Sequence, residues 1–211
     1  MKNAPKKKNA PKKAPRKQAS RQLRAIVIGF AVGLACLTGL VYAVMPGRAD
    51  LGSAAIDSSF TMIGKDGRVV TNAELAGRPY LVFFGYTHCP DFCPAALLDI
   101  SAVFKELGAD KKIAALFVTV DPERDTPDIL KAYLENFDSR IIGLTGDPQK
   151  TEAIAKAFRV YAKKVPGEKS GDYTVDHTGI VYLMDRRGKF VGAFNLQRPP
   201  RQAARELEAY L

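Results

Sequence analysis

Two cysteines, Cys89 and Cys93, stand four residues apart in the stretch Gly85-Tyr86-Thr87-His88-Cys89-Pro90-Asp91-Phe92-Cys93-Pro94. That separation places two sulfurs over one face of a helix. The apolar run Tyr80-Leu81-Val82-Phe83-Phe84 directly before them reads as a strand buried on both faces. The pair is therefore expected where a core strand gives way to a helix. Pro90 has a helical φ and no backbone donor, so it suits the first helical position, with Cys89 as the cap. Helix starts favour the thiolate form that attacks disulfides or binds metal. A structural disulfide is the plainest alternative use. Closing so short a loop stabilises by only about 2 kcal/mol, against about 4.7 for a hundred-residue loop, so a staple would be better placed elsewhere. Disulfide exchange and metal binding both remain open on these residues.

His177 narrows the choice. It lies in Asp176-His177-Thr178, at the mouth of an expected core strand over 178–184 and just after residues 163–173, which carry Pro166, Gly167 and Gly171 without periodicity and read as a mobile loop. Strand ends carry the functional loops of an α/β sheet, which would bring His177 beside the cysteines. Two thiolates and an imidazole suit copper, the sulfurs favouring Cu(I) and the nitrogen making Cu(II) tolerable. Zinc accepts the same atoms, although a closed structural zinc site wants four ligands. His88 adjoins Cys89, and its side chain reaches the same point poorly. The third cysteine, Cys36, falls inside an apolar run and reads as a small hydrophobe.

The elements that must position these side chains follow from pattern. Phe60–Ile63 and Arg68–Val70 flank an Asp66-Gly67 hairpin turn, and Ala73–Gly77 is a short connection. A helix after Pro90 should turn Leu97, Leu98, Ile100, Val103, Phe104 and Leu107 inward and stop at Gly108. Ile113–Val120 is a second buried strand ending in Asp121-Pro122, so strand, helix and strand form a parallel βαβ unit. Thr126-Pro127 and Asp147-Pro148 each open a helix as cap and first residue, on either side of a short strand at Ile141–Leu144. Asp185–Gly188 is a turn, Phe190–Phe194 returns antiparallel, and Pro199-Pro200 opens a last helix with Ala204, Leu207 and Leu211 inward. The order describes an α/β domain with a central sheet flanked by helices.

The chain has 211 residues and a net charge of +10. Residues 1–24 hold ten Lys and Arg and no acid, and the other 22 basic residues are matched by 22 acidic ones. All the excess charge belongs to the tail, so the folded domain has no nucleic-acid footprint. Residues 25–44 carry no charge, and at 1.5 Å per residue they span about 30 Å, the hydrocarbon thickness of a bilayer. They read as one transmembrane helix, with the basic tail at 1–24 cytoplasmic, a linker at 45–58 and a domain at 59–211 sent across the membrane. A cleaved signal peptide ending at Val41-Tyr42-Ala43 is the alternative, although the apolar run exceeds the usual 7–15 residues of a signal core. The Lys-rich, Pro-broken tail differs from a mitochondrial transit peptide and points to a bacterial inner membrane, with the domain periplasmic.

Four blocks taken together resemble the Sco/SenC family: Gly85–Pro94, Val120-Asp121-Pro122-Glu123-Arg124-Asp125-Thr126-Pro127, Gly143-Leu144-Thr145-Gly146 and Val175-Asp176-His177-Thr178. The resemblance implies a thioredoxin-like fold outside the cytoplasm. It also implies copper handling during assembly of the binuclear copper centre of cytochrome c oxidase, with the copper-bearing subunit as receiver and an upstream chaperone as donor. By motif match, Cys89, Cys93 and His177 take the copper-ligand positions, Asp121 lies near the metal and Asp176 precedes the ligand histidine. A metallochaperone is thus the first reading and a thiol-disulfide oxidoreductase, with Cys89 attacking and Cys93 resolving, the second. A thioredoxin-type exchanger normally carries two residues between its cysteines and a proline before the facing strand. Here there are three, and Thr174–Thr178 has no proline.

Overall fold

The computed structural model describes residues 26–38, 56, 59–169 and 171–211. Residues 26–38 are helical with exposed side chains, within a unit Met1–Gly52 distinct from the unit Ser53–Leu211. Among the described residues no helix is long and apolar enough to cross a membrane. The expected tail, most of the expected linker, and residues 25 and 39–44 of the expected span lie outside the described residues.

The described residues of the second unit form nine strands and four α-helices, in the order β1 (Thr61–Gly64), β2 (Val69–Thr71), β3 (Tyr80–Gly85), α1 (Phe92–Leu107), β4 (Ala114–Thr119), α2 (Pro127–Leu134), β5 (Ile141–Thr145), α3 (Pro148–Ala157), β6 (Ala162–Pro166), β7 (Tyr173–His177), β8 (Val181–Met184), β9 (Phe190–Phe194) and α4 (Pro200–Glu208). A 3₁₀ turn over Asn72–Leu75 occupies the connection before β3. Seven strands form one sheet in the order β2-β1-β5-β4-β3-β8-β9. The centre is parallel, with β4 between β3 and β5, and the flanking pairs are antiparallel. This is the thioredoxin-like α/β arrangement that the family resemblance implies.

Alternation along the central strands feeds two cores. Leu81, Phe83, Ala115 and Phe117 pack with α1, α2 and α4 on one face. Tyr80, Val82, Phe84, Leu116 and Val118 pack with α3 and the β1–β2 hairpin on the other. Two helix starts form as expected: the side chain of Thr126 accepts from the Ile129 amide, and that of Asp147 from the Lys150 amide, each followed by proline. The end of α3 is a Schellman arrangement, the Arg159 N–H donating to the Lys156 carbonyl and the Val160 N–H to that of Ala155. Arg159 itself takes the left-handed φ of 56°. Glycine would avoid the cost there, about 1–2 kcal/mol for an L-residue.

Three expectations need correction. The helix after the cysteines begins at Phe92, with Asp91 in the cap position, rather than at Pro90 with Cys89 capping. Pro94 supplies the reason. Begun at Pro90, the helix would place Pro94 where an intrahelical N–H is required; begun at Phe92, Pro94 sits in the first turn, where none is. Leu98 is 57% exposed, while Leu97, Ile100, Val103, Phe104 and Leu107 are buried as expected. Finally, the loop expected over 163–173 is in part strand, β6 taking it up to Pro166 and β7 beginning at Tyr173. β6 and β7 pair as an antiparallel ribbon, a separate two-stranded sheet, and the next core strand starts at Val181 rather than Thr178. All five residues of β6 are exposed, so no core-facing alternation marks it in the sequence.

Candidate metal centre

The carboxyl ends of β3 and β4 open onto the loops that build the site. After Gly85 the chain turns, the Cys89 N–H donating to the Tyr86 carbonyl at 3.3 Å, before α1 starts. Cys93 occupies the second position of α1 and is buried, and Cys89 is half-buried. The Cys93 N–H donates to the Cys89 Sγ at 3.4 Å, so a cysteine sulfur takes up one of the unpaired amides of the helix start although Cys89 is not the cap residue. Gly85 makes room for this. A Cβ there would lie 2.8 Å from the Cys93 Sγ and 2.7 Å from the Phe117 ring.

His177 comes from the other side, as the last residue of β7. Its Nε2 lies 3.6 Å from the Cys93 Sγ, and its Nδ1 lies 3.2 Å from the Thr178 carbonyl oxygen. A carbonyl only accepts, so the proton sits on Nδ1 and the lone pair of Nε2 faces the sulfurs. Tyr86, Phe92 and Phe83 surround the imidazole, with ring centroids 5.8, 6.2 and 6.4 Å away. Gly179 lets Phe92 close over this space, since a Cβ there would fall 2.6 Å from its ring. One ligand atom each from Cys89, Cys93 and His177 lies within 4.8 Å of the others, and no further such group occurs among the described residues.

Burial sets the protonation of the set. It pushes the Cys93 thiol well above its ordinary value and pulls His177 below its own, against smaller opposing effects of the Thr178 carbonyl and Asp176. At neutral pH the imidazole is thus unprotonated and ready to ligate, while Cys93 holds its proton until something displaces it. A metal cation does this by direct bonding to sulfur.

The segment after β4 joins the two sides. Asp125 is fully buried and accepts from the Thr87 hydroxyl at 2.6 Å, the Thr87 N–H at 3.1 Å and the Thr119 hydroxyl at 2.6 Å, which fixes the cysteine loop. Asp121, also fully buried, accepts from the Tyr173 hydroxyl at 2.7 Å and from Arg124 Nε. Arg124 lies over the Tyr173 ring at 3.7 Å and donates to the Tyr173 carbonyl at 3.1 Å. The Tyr86 hydroxyl accepts from the Val175 N–H at 3.2 Å, a direct tie between the cysteine loop and the histidine strand.

Of the sequence-predicted residues, then, Cys89, Cys93 and His177 converge. Asp121 is spent on Tyr173 and Arg124, Asp176 is exposed on β7, and neither belongs to the converging group. His88 is exposed and bonded to the Thr87 hydroxyl at 3.1 Å. Sequence reasoning missed Thr87, Asp125, Arg124, Tyr173 and Tyr86. No local pattern marks them, because the contacts that tie them to the site join distant segments: Thr87 to Asp125, Arg124 to Tyr173 and Tyr86 to Val175.

The SCO1/SenC sequence pattern matches residues 48–211. The fold is similar to that of ScoI from Bradyrhizobium japonicum, solved with copper bound, at a TM-score of 0.70 and 51% identity over 72% of this chain and 98% of that one. It is also similar to BsSco, described as a member of the Sco family of cytochrome c oxidase assembly proteins with a disulfide switch, at a TM-score of 0.58 and 26% identity over 72% and 91% of the two chains. A SCO2-like protein of Rickettsia felis is 33% identical over 84% of this chain and 91% of its own. With the family pattern spanning the whole described domain and the three ligand-capable side chains meeting inside it, the chain belongs to the SCO1/SenC family.

Proposed function

We propose that this protein is a copper metallochaperone: Cys89 and Cys93 as thiolates and His177 through Nε2 hold one copper ion, which is passed to the copper-bearing subunit of cytochrome c oxidase for its binuclear centre. The carrying observation is the convergence of these three atoms within 4.8 Å, with the His177 tautomer already set by Thr178. Loading releases the thiol protons and requires the cysteines to be reduced. The anchor is residues 25–44, with the tail on the cytoplasmic side of a bacterial inner membrane and the domain in the periplasm, where an upstream chaperone supplies the metal. The test is titration of the reduced full-length protein in detergent. One copper per chain and a thiolate charge-transfer absorption with Cu(II) are expected; a His177→Ala protein that held both oxidation states as tightly as the parent would refute the three-ligand site. Protease added outside the inner membrane should remove the domain and spare residues 1–24.

The sulfur asymmetry supports a second reading, reduction of a disulfide in the oxidase copper site. Half-buried Cys89 attacks the partner disulfide and releases one partner thiolate; buried Cys93 then displaces the second from the mixed disulfide. The dithiol gives up two electrons and ends as Cys89–Cys93. Catalytic reduction by the apo protein, with no metal transfer from the copper-loaded one, would put this reading first.

A further inference from the structure

Among the described residues β6 pairs with β7 alone, along one edge. The Thr178 N–H donates to the Tyr161 carbonyl and the Gly167 N–H to that of Asp172, so by strand alternation the odd-numbered residues of β6 bond to β7. The amides of Ala162 and Lys164 face the open edge, where no other strand pairs with them among the described residues. Beside this edge lies a cavity of about 750 Å³ between β6, α3 and the Val120–Glu123 segment.

The cavity wall is basic and holds an unused donor. Lys156, Arg159 and Lys163 line it and form no ion pair among the described residues, against Glu152 as the unpaired acid; Lys164 is taken by Glu123 at 2.6 Å. Thr151 also lines it, its side chain only 5% exposed and its buried hydroxyl without a hydrogen-bond partner among the described residues. Arg159 stands in a left-handed conformation that glycine would adopt freely, so a cation is kept where the backbone disfavours it.

We propose that the open edge of β6 and this cavity form a docking site for an extended, acidic segment of a partner protein, which adds to β6 as a third strand. Free amides at a two-residue spacing match a peptide backbone, and the cavity takes the side chains that alternate toward it. A lipid headgroup uses the cations but not the amides. The chain's own residues 1–24, with ten cations and no acid, have the wrong charge. Ala162 lies opposite His177 in the ladder, so the added strand would lie one strand away from the imidazole. The proposal does not depend on which metal or redox chemistry the cysteines perform.

The experiment measures amide hydrogen exchange of the full chain in neutral detergent, with a synthetic peptide of alternating Glu and Val, with its Lys-for-Glu counterpart, and with phosphatidylglycerol in the micelle. The Glu peptide should protect Ala162 and Lys164, and the Lys peptide should not. Arg159→Gly relieves the backbone, so its melting temperature should equal or exceed the parent's while its affinity for the Glu peptide falls, by up to about fivefold as for one exposed charge pair. Lys163→Gln should weaken binding by a similar factor. Equal protection by both peptides, no protection by either, or protection by phosphatidylglycerol alone would each overturn the proposal, the last in favour of a lipid-facing surface.

Discussion

The two halves of the candidate metal centre are built on unlike foundations. Cys89 and Cys93 follow β3, six buried residues paired with strands on both sides, and Cys93 is packed into the core through α1. His177 ends a two-stranded ribbon in which Val175 alone is buried, held to the rest by Tyr86, Arg124, Tyr173 and an exposed Lys164–Glu123 pair. The sulfurs are therefore fixed by the fold, whereas the imidazole is fixed by a handful of side-chain contacts. The carrier role proposed above, which requires a metal to be both held and surrendered, would gain from that difference, since one ligand can leave without disturbing the core.

The strongest way to break this comparison is to remove ligands from each half. Cys93→Ser should abolish copper binding in both oxidation states, beyond the roughly 10–100-fold loss that even outer-shell partners cause. His177→Ala should spare dithiolate binding of Cu(I), lose Cu(II) by more than about 100-fold, and leave Cys89 and Cys93 oxidisable to each other. Titration with each oxidation state and thiol counting separate the two. Equal losses in both variants would mean that the halves act as one rigid unit.

Next in size is the Arg124 contact set. Arg124→Gln removes the cation from the Tyr173 ring and from Asp121 without touching a ligand atom. Copper(II) affinity should fall about 10-fold, with the charge-transfer band shifted as His177 relaxes, while Cu(I) affinity changes little. A Tyr173→Phe variant, which deletes only the hydroxyl given to Asp121, should show the same signature at smaller amplitude.

The same contrast separates what could be read in the sequence from what could not. β3, β4, β5 and the Thr126 and Asp147 helix caps carry local signals, namely continuous apolar runs and cap-proline pairs, and these elements stand where they were expected. The β6–β7 ribbon buries too little to leave a pattern, so residues 163–173 read as a loop and His177 reads as the mouth of the strand over 178–184, whereas it ends β7 at the same site. The ligand trio was legible because its chemistry is rare in this chain. The supports were not: Asp125 meets Thr87 across 38 residues and Arg124 meets Tyr173 across 49, contacts that only the assembled sheet creates.

Two glycines sharpen the comparison through stability. Gly85→Ala would drive a Cβ into the Cys93 sulfur and the fully buried Phe117 ring, neither of which can retreat. A loss of about 1–3 kcal/mol is expected, lowering the melting temperature by several degrees. Gly179→Ala meets the ring of Phe92, which is 51% exposed and can swing outward. Its effect on melting should be smaller, with the cost appearing instead in the shielding of His177, read as faster exchange of bound copper with a chelator.

The smallest expected effect comes from the charges that brace each half. On the sulfur side, Arg140 grips Asp138 at 2.8 and 2.9 Å and donates to the carbonyls of Phe104 and Gly108, closing the end of α1. The side-chain hydrogen bond from Arg140 holds the Asp138 carboxyl below its ordinary value. A carboxylate with a lowered folded pKa makes the unfolded chain the better proton binder. Its stabilisation is therefore complete above about pH 4, the unfolded value, and is lost as pH falls through the folded one. Asp138→Asn should lower the melting temperature at pH 7 and converge on the parent in strong acid. On the ribbon side, Glu123→Gln breaks a pair whose side chains are both about half exposed, and pairs of that kind contribute about 0–1 kcal/mol. Its melting curve should track the parent at every pH, and a loss as large as that of Asp138→Asn would mean that the ribbon is bound to the domain as firmly as the helix that carries Cys93.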